Sequence, residues 1–374
     1  MAGIYYHIPF CKRICSYCDF YRTVQTARLP EVIGAMCREI VAQAGFLRGE
    51  PIRTRYFGGG TPSLCTHGQL EQLLAATAGS FDCSAVEETT LEANPDDLTE
   101  AYLRGLRPLG IDRLSIGIQS FDDEALRLMN RRHTAAEAEA AVERARDAGF
   151  TNLTADLIFG VPGFGGASLE RSIERLLRLD VPHVSAYLLT VEPRTRFGVL
   201  TARGELHEVP EAVCEAEYDL IHRRLTEAGY LHYEVSNYAR PGFRALHNSR
   251  YWDGTPYLGI GPAAHSYDGV RRSWNSASVE RYLQGEPRGV ELLSDEDRRL
   301  EYLLTRLRTA DGFAPDDYAA RFGAEELHRL EHRAARWLEN GLLERCSDPS
   351  GGGVRLRIPP GRLLLSDAVI AALS

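Results

Sequence analysis

The sequence predicts an α/β protein that consists of an incomplete, TIM-like (β/α)6 barrel and a C-terminal winged-helix-like α+β domain. Three observations lead to this prediction. Short apolar runs rich in β-branched and aromatic residues alternate with longer segments of helical period up to about residue 230. Polar residues and glycines gather where these runs end, and helices closed by a hairpin follow after residue 290.

Six β/α units are visible in the alternating part. The predicted strands are GIYYHIP, TRYFGG, TTLEAN, RLSIGIQ, LTADLIFG and HVSAYLLT. The helices predicted between them cover residues 30–49, 68–79, 99–109, 135–148 and 168–179. The periodicity of apolar residues alone does not distinguish an open doubly wound sheet from an incomplete barrel.

The ends of the predicted strands favour the barrel. Three cysteines follow the first strand, and polar or glycine residues mark the other five ends. In strand order these are 58–61, Glu92, Asn94, Gln119, Asp156 and Tyr187. In a barrel all these ends face one rim, where active sites are built. A single site supplied by every strand therefore favours the barrel.

The second part of the chain departs from this alternation. From about residue 230 the pattern predicts glycine- and aromatic-rich loops and then a linker, GEPRGV. Helices predicted over 294–308, 315–322 and 325–340 lead into GLLERC, a SDPSGGG turn and VRLRIP. We therefore divide the chain into a barrel (1–235), a connecting segment (236–289) and a winged-helix-like domain (290–374). The last domain carries 12 arginines against 15 acids, so we expect a packing or lid role and not DNA binding.

Composition excludes several classes of protein. A net charge of −9 argues against a nucleic-acid partner. No apolar run reaches the roughly 18 residues that a membrane span requires, and MAGIYYHIPF lacks the layout of a secretory signal. Cysteines beyond residue 30 are scattered singly, which is typical of free thiols in a reducing compartment. The sequence therefore predicts a cytoplasmic protein without a transmembrane segment.

Three cysteines, Cys11, Cys15 and Cys18, have the spacing C-x3-C-x2-C directly after the first strand. A zinc ion would need a fourth ligand, for which His7 is the nearest candidate, and no second pair of cysteines follows downstream. A cubane iron–sulfur cluster held by three thiolates instead leaves one iron open to an exchangeable ligand. The missing fourth cysteine therefore favours a [4Fe–4S] cluster.

With Tyr17 just before the last cysteine, this loop resembles the radical S-adenosylmethionine (SAM) enzymes. The resemblance implies that SAM occupies the open iron and that the reduced cluster cleaves it to a 5′-deoxyadenosyl radical. One β/α unit later, FGGGTPS resembles the glycine segment that holds the SAM amino group in this superfamily. Glycines suit that role because no side chain separates the ligand from the backbone amides.

Five segments in order along the chain are similar to one family. They are YYHIPFCKRICSYCDF, FGGGTPS, LEANP, IGIQSFDDEALRLMNR and DLIFGVPG. They resemble the oxygen-independent coproporphyrinogen III oxidases and their HemW-type relatives over essentially the whole chain. The resemblance implies that SAM is bound by a set of five residues, Tyr5, Gly59, Gly60, Thr61 and Glu92. It also matches three residues to positions around a second SAM in the true oxidases, namely Gln119, Arg131 and Asp156.

Two departures favour the HemW-type heme chaperones within this family. The oxidases carry a further cysteine where this chain has Phe20, and they carry an N-terminal extension where only four residues precede Tyr5. In addition, HNSRYW fits the HNxxYW pattern associated with heme in the chaperone branch. The resemblance thus implies three heme-binding residues, His247, Tyr251 and Trp252.

An imidazole nitrogen can bind iron, and aromatic rings supply flat faces for a porphyrin. His265 in GIGPAAHS is a competing iron ligand. The implied cofactors are therefore a [4Fe–4S] cluster, SAM and heme, and the implied partners are heme acceptor proteins and an electron donor. Three alternatives stay open: a coproporphyrinogen III oxidase that decarboxylates propionates, another radical SAM activity such as methyl transfer, and a zinc-binding scaffold with a DNA-binding module.

Overall fold

A mixed sheet of 12 strands forms the centre of the computed structural model, which describes residues 2–348 and 353–374. In its middle, six parallel strands pair in chain order. They are β1 (Ala2–Ile8), β2 (Ile52–Gly59), β3 (Glu88–Ala93), β4 (Arg113–Gln119), β5 (Asn152–Phe159) and β6 (His183–Leu188). All six predicted strands are confirmed, and their ends differ from the prediction by at most two residues.

Helices connect the parallel strands. They are α1 (Leu29–Ala42), α2 (His67–Ser80), α3 (Glu100–Leu106), α4 (Asp123–Leu128), α5 (Ala135–Asp147) and α6 (Ala167–Leu179). The predicted helix 30–49 is too long, because α1 ends at Ala42 and the chain continues in turns over 43–49, where φ is +53° at Arg48 and +80° at Gly49. The predicted helix 99–109 also ends early, since Pro108 has no N–H to continue an α-helix.

The two faces of the parallel strands differ in polarity. On β1, Ile4, Tyr6 and Ile8 are fully buried in the hydrophobic core. Successive side chains of a strand point to opposite faces, so Tyr5 and His7 lie on the other face. That inner face is polar, and it supplies the side chains of the candidate site.

The sheet continues beyond the six strands on both sides. Beside β6 lie β8 (Asn237–Ala239) and β7 (Leu231–Glu234). Beside β1 lies the parallel strand β9 (Tyr257–Ile260), followed by β10 (His265–Tyr267), β11 (Arg271–Trp274) and β12 (Gly289–Leu292). Within the described residues no pairing joins β7 to β12, so the barrel is incomplete, as predicted.

Four further helices belong to this part of the chain, namely α7 (Arg196–Ala202), α8 (Glu211–Glu227), α9 (Leu246–Asp253) and α10 (Val279–Leu283). The loops predicted after residue 230 are therefore wrong over 246–253, which is helical, and over the short strands. Strands of three or four residues are too short for an alternating pattern to be recognised. The division into three domains stays a prediction, although the strands of 236–289 join the same sheet as the barrel.

The C-terminal part has the predicted order of three helices and a hairpin. It comprises α11 (Asp295–Arg306), α12 (Pro315–Phe322), α13 (Ala324–Glu339), β13 (Glu344–Ser347), β14 (Val354–Arg357) and α14 (Ser366–Leu373). The predicted SDPSGGG turn lies partly outside the described residues. This order agrees with a winged-helix-like module. No helix in the described ranges is long and apolar enough to cross a membrane.

Candidate functional site

The cysteine loop is held in place by backbone hydrogen bonds. The Cys11 N–H donates to the carbonyl of Thr23 at 2.9 Å. In the middle of the loop, the Ser16 N–H donates to Met129 O at 3.0 Å, and Ser16 O accepts from the Phe197 N–H at 2.9 Å. The loop is therefore anchored to the segment after α4 and to the start of α7.

The loop opens into a cavity of about 550 Å³ at the carboxyl ends of the parallel strands, which we call the first cavity. Most of the predicted site residues line it. They are Cys11, Cys15, Tyr17, Cys18, Gly59, Gly60, Thr61, Glu92, Gln119, Arg131 and Asp156. The structure thus brings together residues from the loop and from four strands or their ends.

Two side chains donate to the cysteine sulfurs. The Thr61 hydroxyl lies 3.4 Å from Cys11 Sγ, and Arg131 Nη1 lies 3.3 Å from Cys15 Sγ. Burial raises the pKa of the Cys11 and Cys18 thiols, so their deprotonation is unfavourable until a positive centre binds. The donors are placed to stabilise the thiolates once they form.

The arrangement of the three thiols determines which kind of metal centre they can hold. Among the described residues, no three His, Cys, Asp or Glu side chains converge closely enough to hold one ion. A cubane cluster makes a different demand, since each thiolate binds a separate iron and the sulfurs stand farther apart. Three thiols lining one cavity therefore fit a [4Fe–4S] cluster better than a zinc ion.

Arg131 is fixed by the carboxyl ends of β3 and β4. Its Nη2 donates to Gly117 O at 2.6 Å and to Asn94 Oδ1 at 2.5 Å. Its Nε is buried and has no hydrogen-bond partner among the described residues. One donor of this guanidinium is thus unsatisfied, although buried polar groups are normally paired.

The glycines of FGGG are required by packing as well as by ligand access. A Cβ on Gly60 would lie 2.8 Å from Ile8 O, which is backbone and cannot yield. Gly59 has φ +108°, and a Cβ there would lie 2.6 Å from the His7 ring. The end of β2 therefore passes so close to β1 that only glycine fits.

Two carboxyls face the first cavity in a low-dielectric environment. Glu92 accepts from the Tyr56 hydroxyl at 2.8 Å and from the Gly59 N–H at 3.1 Å. Burial raises its pKa to about 7. Asp156 accepts from the Ser115 hydroxyl at 3.2 Å, and burial raises its pKa to about 6. A cationic ligand would favour the ionised form of both carboxyls.

Gln119 ends β4 in a strained conformation. Its φ is +68°, in the left-handed region that non-glycine residues rarely adopt. Its side chain approaches Gly117, where an added Cβ would lie 2.8 Å from Gln119 Nε2. Such strain is typical of residues whose side chain is directed at a ligand.

Tyr5 is not among the described residues that line the first cavity. Its hydroxyl is hydrogen-bonded to His7 Nδ1 at 3.0 Å, and its ring stacks on Tyr56 with centroids 6.0 Å apart. The predicted contact of Tyr5 with SAM therefore stays a prediction, whereas its packing on Tyr56 is visible.

The three predicted heme residues lie on α9, away from the first cavity. The N–H groups of Leu246 and His247 donate to the two carboxylate oxygens of Glu88, both at 3.0 Å. Glu88 and Thr54 stand near the amino ends of β3 and β2, so α9 covers the end of the sheet opposite to the cysteines. Trp252 is half-buried on the same helix.

Both ring nitrogens of His247 are engaged. Nδ1 lies 2.9 Å from the Thr54 hydroxyl, and Nε2 lies 2.9 Å from the Tyr251 hydroxyl. The side chain is 1% exposed, and burial lowers its pKa to about 3. Iron ligation by His247 would require one of these hydrogen bonds to break. The competing candidate His265 is exposed and stacks on Trp274.

Several lining residues carry no role in the sequence interpretation. Asn94 and Tyr187 were recognisable as polar strand ends but were matched to no function, and both line the first cavity. Ser115, two residues before Gly117 on β4, was missed. Arg22 comes from the far side of the cysteine loop, where no strand end marks it. Strand ends and the cysteine motif are thus informative signals, whereas a loop residue outside any motif, such as Arg22, is not.

Comparison with known proteins identifies the superfamily. Residues 5–176 match the family model described as the radical SAM superfamily. The heme chaperone HemW of Lactococcus lactis is 37% identical over 322 residues, which cover 85% of this chain and 84% of that protein. The heme chaperone HemW of Mycobacterium tuberculosis is 36% identical over 382 residues, which cover 99% of this chain and 94% of that protein. The HemW of Escherichia coli is 30% identical and covers 92% of each.

Among solved structures, the coproporphyrinogen III oxidase HemN from Escherichia coli aligns with a TM-score of 0.83. The alignment covers 100% of this chain and 89% of that one at 22% identity, so the likeness concerns the fold. Membership of the superfamily implies a [4Fe–4S] cluster and SAM as cofactors. With relatives above 30% identity along nearly its whole length, the chain belongs to the HemW family of the radical SAM superfamily.

Proposed function

We propose that this protein is a cytoplasmic heme chaperone that binds a [4Fe–4S] cluster through Cys11, Cys15 and Cys18, binds SAM in the first cavity, and delivers heme to acceptor proteins. Binding of the cluster is supported by the anchored loop, whose three thiols open into that cavity. The heme part is supported by similarity over nearly the whole chain to proteins named heme chaperone HemW.

The residues around the cysteines suit a reduced cluster. Thr61 and Arg131 donate to the sulfurs of Cys11 and Cys15. Hydrogen bonds and positive charge near the sulfurs stabilise additional negative charge on a cluster and raise its reduction potential. When bound, the cluster and SAM together supply a 5′-deoxyadenosyl radical. The electron for that chemistry would come from a separate donor protein.

The carboxyls suit a cationic nucleotide such as SAM, which carries an amino group and a sulfonium. Because the pKa of Glu92 is about 7 and that of Asp156 about 6, both are partly protonated near neutral pH before a ligand binds. A cation favours their ionised forms, so its binding releases protons and strengthens as the pH rises through 7. The Gly59 N–H holds one oxygen of Glu92 in place at 3.1 Å.

The main rival is a coproporphyrinogen III oxidase, which the fold likeness to HemN keeps in consideration. Phe20 stands where the oxidases carry a further cysteine, and it is 70% exposed at the cavity rim. The rival is tested by incubating reduced, reconstituted protein with SAM and coproporphyrinogen III. Formation of protoporphyrinogen would replace the chaperone assignment with the oxidase one.

The proposed function is tested by heme transfer. Protein reconstituted with iron and sulfide under anaerobic conditions is loaded with hemin, and iron, sulfide and heme are quantified per chain. It is then mixed with an apo-hemoprotein, and the acceptor's Soret spectrum is followed after the two proteins are separated. We expect stable hemin binding and transfer faster than from serum albumin loaded with the same hemin. Equal transfer rates from both donors would contradict a chaperone function.

A further inference from the structure

A second cavity, of about 540 Å³, lies beside α9 on the side of the C-terminal helices. Its walls come from the end of α9, from β9 to β11 and from α11 and α12. Its lining includes four aromatic residues and two arginines, namely Tyr251, Tyr257, Tyr302, Phe322, Arg306 and Arg321. It shares no lining residue with the first cavity. Tyr251, one of the three residues matched to heme, contributes to its wall.

The charges in the second cavity are only partly balanced. Arg272 pairs with Glu301 at 2.8 Å, and Arg298 pairs with Asp295. In contrast, neither Arg306 nor Arg321 has a carboxylate oxygen within 4 Å among the described residues. These two cations are therefore available to an anionic ligand.

The two available arginines flank the same aromatic ring. The guanidinium carbon of Arg306 lies 5.6 Å from the Tyr302 ring centroid, and that of Arg321 lies 5.4 Å from it. Arg306 also donates to the main-chain carbonyl of Asp253 at 2.9 Å. The Asp253 carboxylate, the remaining acid of the cavity, accepts from the Thr255 N–H at 2.9 Å. Two like charges beside one ring suit a ligand that carries two separate anionic groups.

The rest of the wall is aromatic. Tyr251 and Tyr257 meet edge to face with centroids 4.7 Å apart, and Tyr302 meets Phe322 in the same way at 5.5 Å. The Tyr257 hydroxyl has no hydrogen-bond partner among the described residues. Flat apolar surfaces with a few polar groups are typical of sites for large planar ligands.

A nucleotide fits these features less well. Phosphates prefer backbone N–H groups at a helix N-terminus. The start of α11, the helix N-terminus that lies at this cavity, carries three acids, namely Asp295, Glu296 and Asp297. These acids disfavour a phosphate at that helix start, so the cationic groups that this cavity offers to an anion are the guanidiniums of its side chains.

We propose that the second cavity seats the tetrapyrrole, with Arg306 and Arg321 pairing its two propionates and the tyrosine walls holding its plane. This inference rests on the proposed heme function and names its site. It also assigns His247 a positioning role: the imidazole holds the Tyr251 hydroxyl, and the Tyr251 ring forms part of the wall. The cluster and SAM then occupy a separate cavity.

The test compares hemin with hemin dimethyl ester, in which both propionates are blocked. The full chain is titrated with each, as wild type and as Arg306→Gln, Arg321→Gln and the double variant. Arg329→Gln is the control, because Arg329 is an exposed arginine of α13 that pairs with Glu325 and Glu326. We expect hemin affinity to fall about tenfold for each cavity arginine, the value of one charge-assisted hydrogen bond, and not for the control.

The difference in affinity between hemin and hemin dimethyl ester is a sharper readout than the affinity for hemin alone. The wild type should prefer hemin over its ester, the double variant should bind both alike, and saturating SAM should not displace hemin. Arg321 is exposed and has no hydrogen bond among the described residues, so its single variant is expected to fold even if Arg306→Gln does not. Equal hemin affinity of wild type and Arg321→Gln, or displacement of hemin by SAM, would overturn the second cavity as the seat. Failure of the wild type to bind hemin at all would instead overturn the proposed function.

Discussion

The first cavity presents thiols and carboxyls at the carboxyl ends of the parallel strands, whereas the second presents unpaired arginines among tyrosines beside α9. The first therefore suits a metal cluster with a cationic ligand, and the second suits a dianionic planar ligand. The ligands proposed for the two cavities carry opposite charges, so we expect neither cavity to compete for the other's ligand.

The wall between the two regions is aromatic. Tyr56 donates to Glu92 on the side of the first cavity, and its ring stacks on His247 with centroids 5.1 Å apart. Tyr5 stacks beside it. The two regions are therefore in contact through packed side chains. Substitutions in one region test whether ligand binding in the other region is affected.

The largest expected effect is loss of the cluster in Cys15→Ser. A serine hydroxyl is a poor iron ligand at neutral pH, so anaerobic reconstitution should leave the variant colourless. Hemin binding should persist, because the second cavity contains none of the loop residues. Iron and sulfide analysis and a hemin titration measure both quantities.

The control is Cys346→Ser, a half-buried thiol on β13 outside the loop. It should reconstitute like the wild type. A brown, iron-replete Cys15→Ser protein would contradict the three-cysteine site, and loss of hemin binding together with the cluster would show that the two regions are not independent.

The next effect concerns stability at the FGGG segment. Replacing Gly60 by alanine forces a Cβ to within 2.8 Å of Ile8 O, so we expect the free energy of unfolding to fall by about 1–3 kcal/mol. In Gly68→Ala, nothing lies within 4 Å of the new Cβ, and the change lies in α2, so stability should rise by up to about 1 kcal/mol. Urea unfolding of both variants checks the contrast. Equal stabilities would mean that β1 and β2 separate easily at this point.

A smaller, pH-dependent effect is expected at His247. Burial lowers its pKa to about 3, while an unfolded histidine titrates near 6.5, so the unfolded state binds more protons between these values. Its contribution to stability is therefore complete above pH 6.5 and is lost as the pH falls toward 3. In this window it changes the free energy of unfolding by about 1.4 kcal/mol per pH unit.

The readout is the difference between His247→Gln and the wild type. Burial raises the pKa of the Glu92 and Glu234 carboxyls to about 7, and such groups act in the opposite direction, so the wild-type profile alone does not isolate one histidine. Denaturant titrations from pH 5 to 7 should give a shallower rise of stability with pH in the variant. Parallel profiles would mean that His247 is solvent-accessible in solution.

The sequence predicted the first cavity better than the second for a physical reason. The parallel strands are long enough to show their alternating pattern, and the polar residues on them, such as Glu92 near the end of β3 and Asp156 within β5, can be recognised from the sequence. The second cavity is formed by strands of three or four residues and by arginines far apart in the chain, such as Arg272 and Arg321, which no local pattern unites. The sequence predicts a loop for the HNxxYW segment, which is helical in the structure. The Glu88 carboxylate that accepts from the first N–H groups of this helix lies 158 residues away in the chain, so no local pattern indicates it.

The smallest effect tests the wall itself. In Tyr56→Phe, Glu92 loses the hydrogen bond that lowers its pKa, so the carboxyl should stay protonated to a higher pH. SAM affinity should then fall a fewfold near neutral pH and recover at higher pH, as measured by equilibrium binding to the reconstituted protein. Hemin affinity should not change, because the phenylalanine ring keeps its stacking on His247. Tyr102→Phe, which removes a hydroxyl bonded to Cys65 O outside both cavities, is the control. A change in hemin affinity in Tyr56→Phe alone would show that the aromatic wall couples the two sites, since coupling of two binding equilibria is reciprocal.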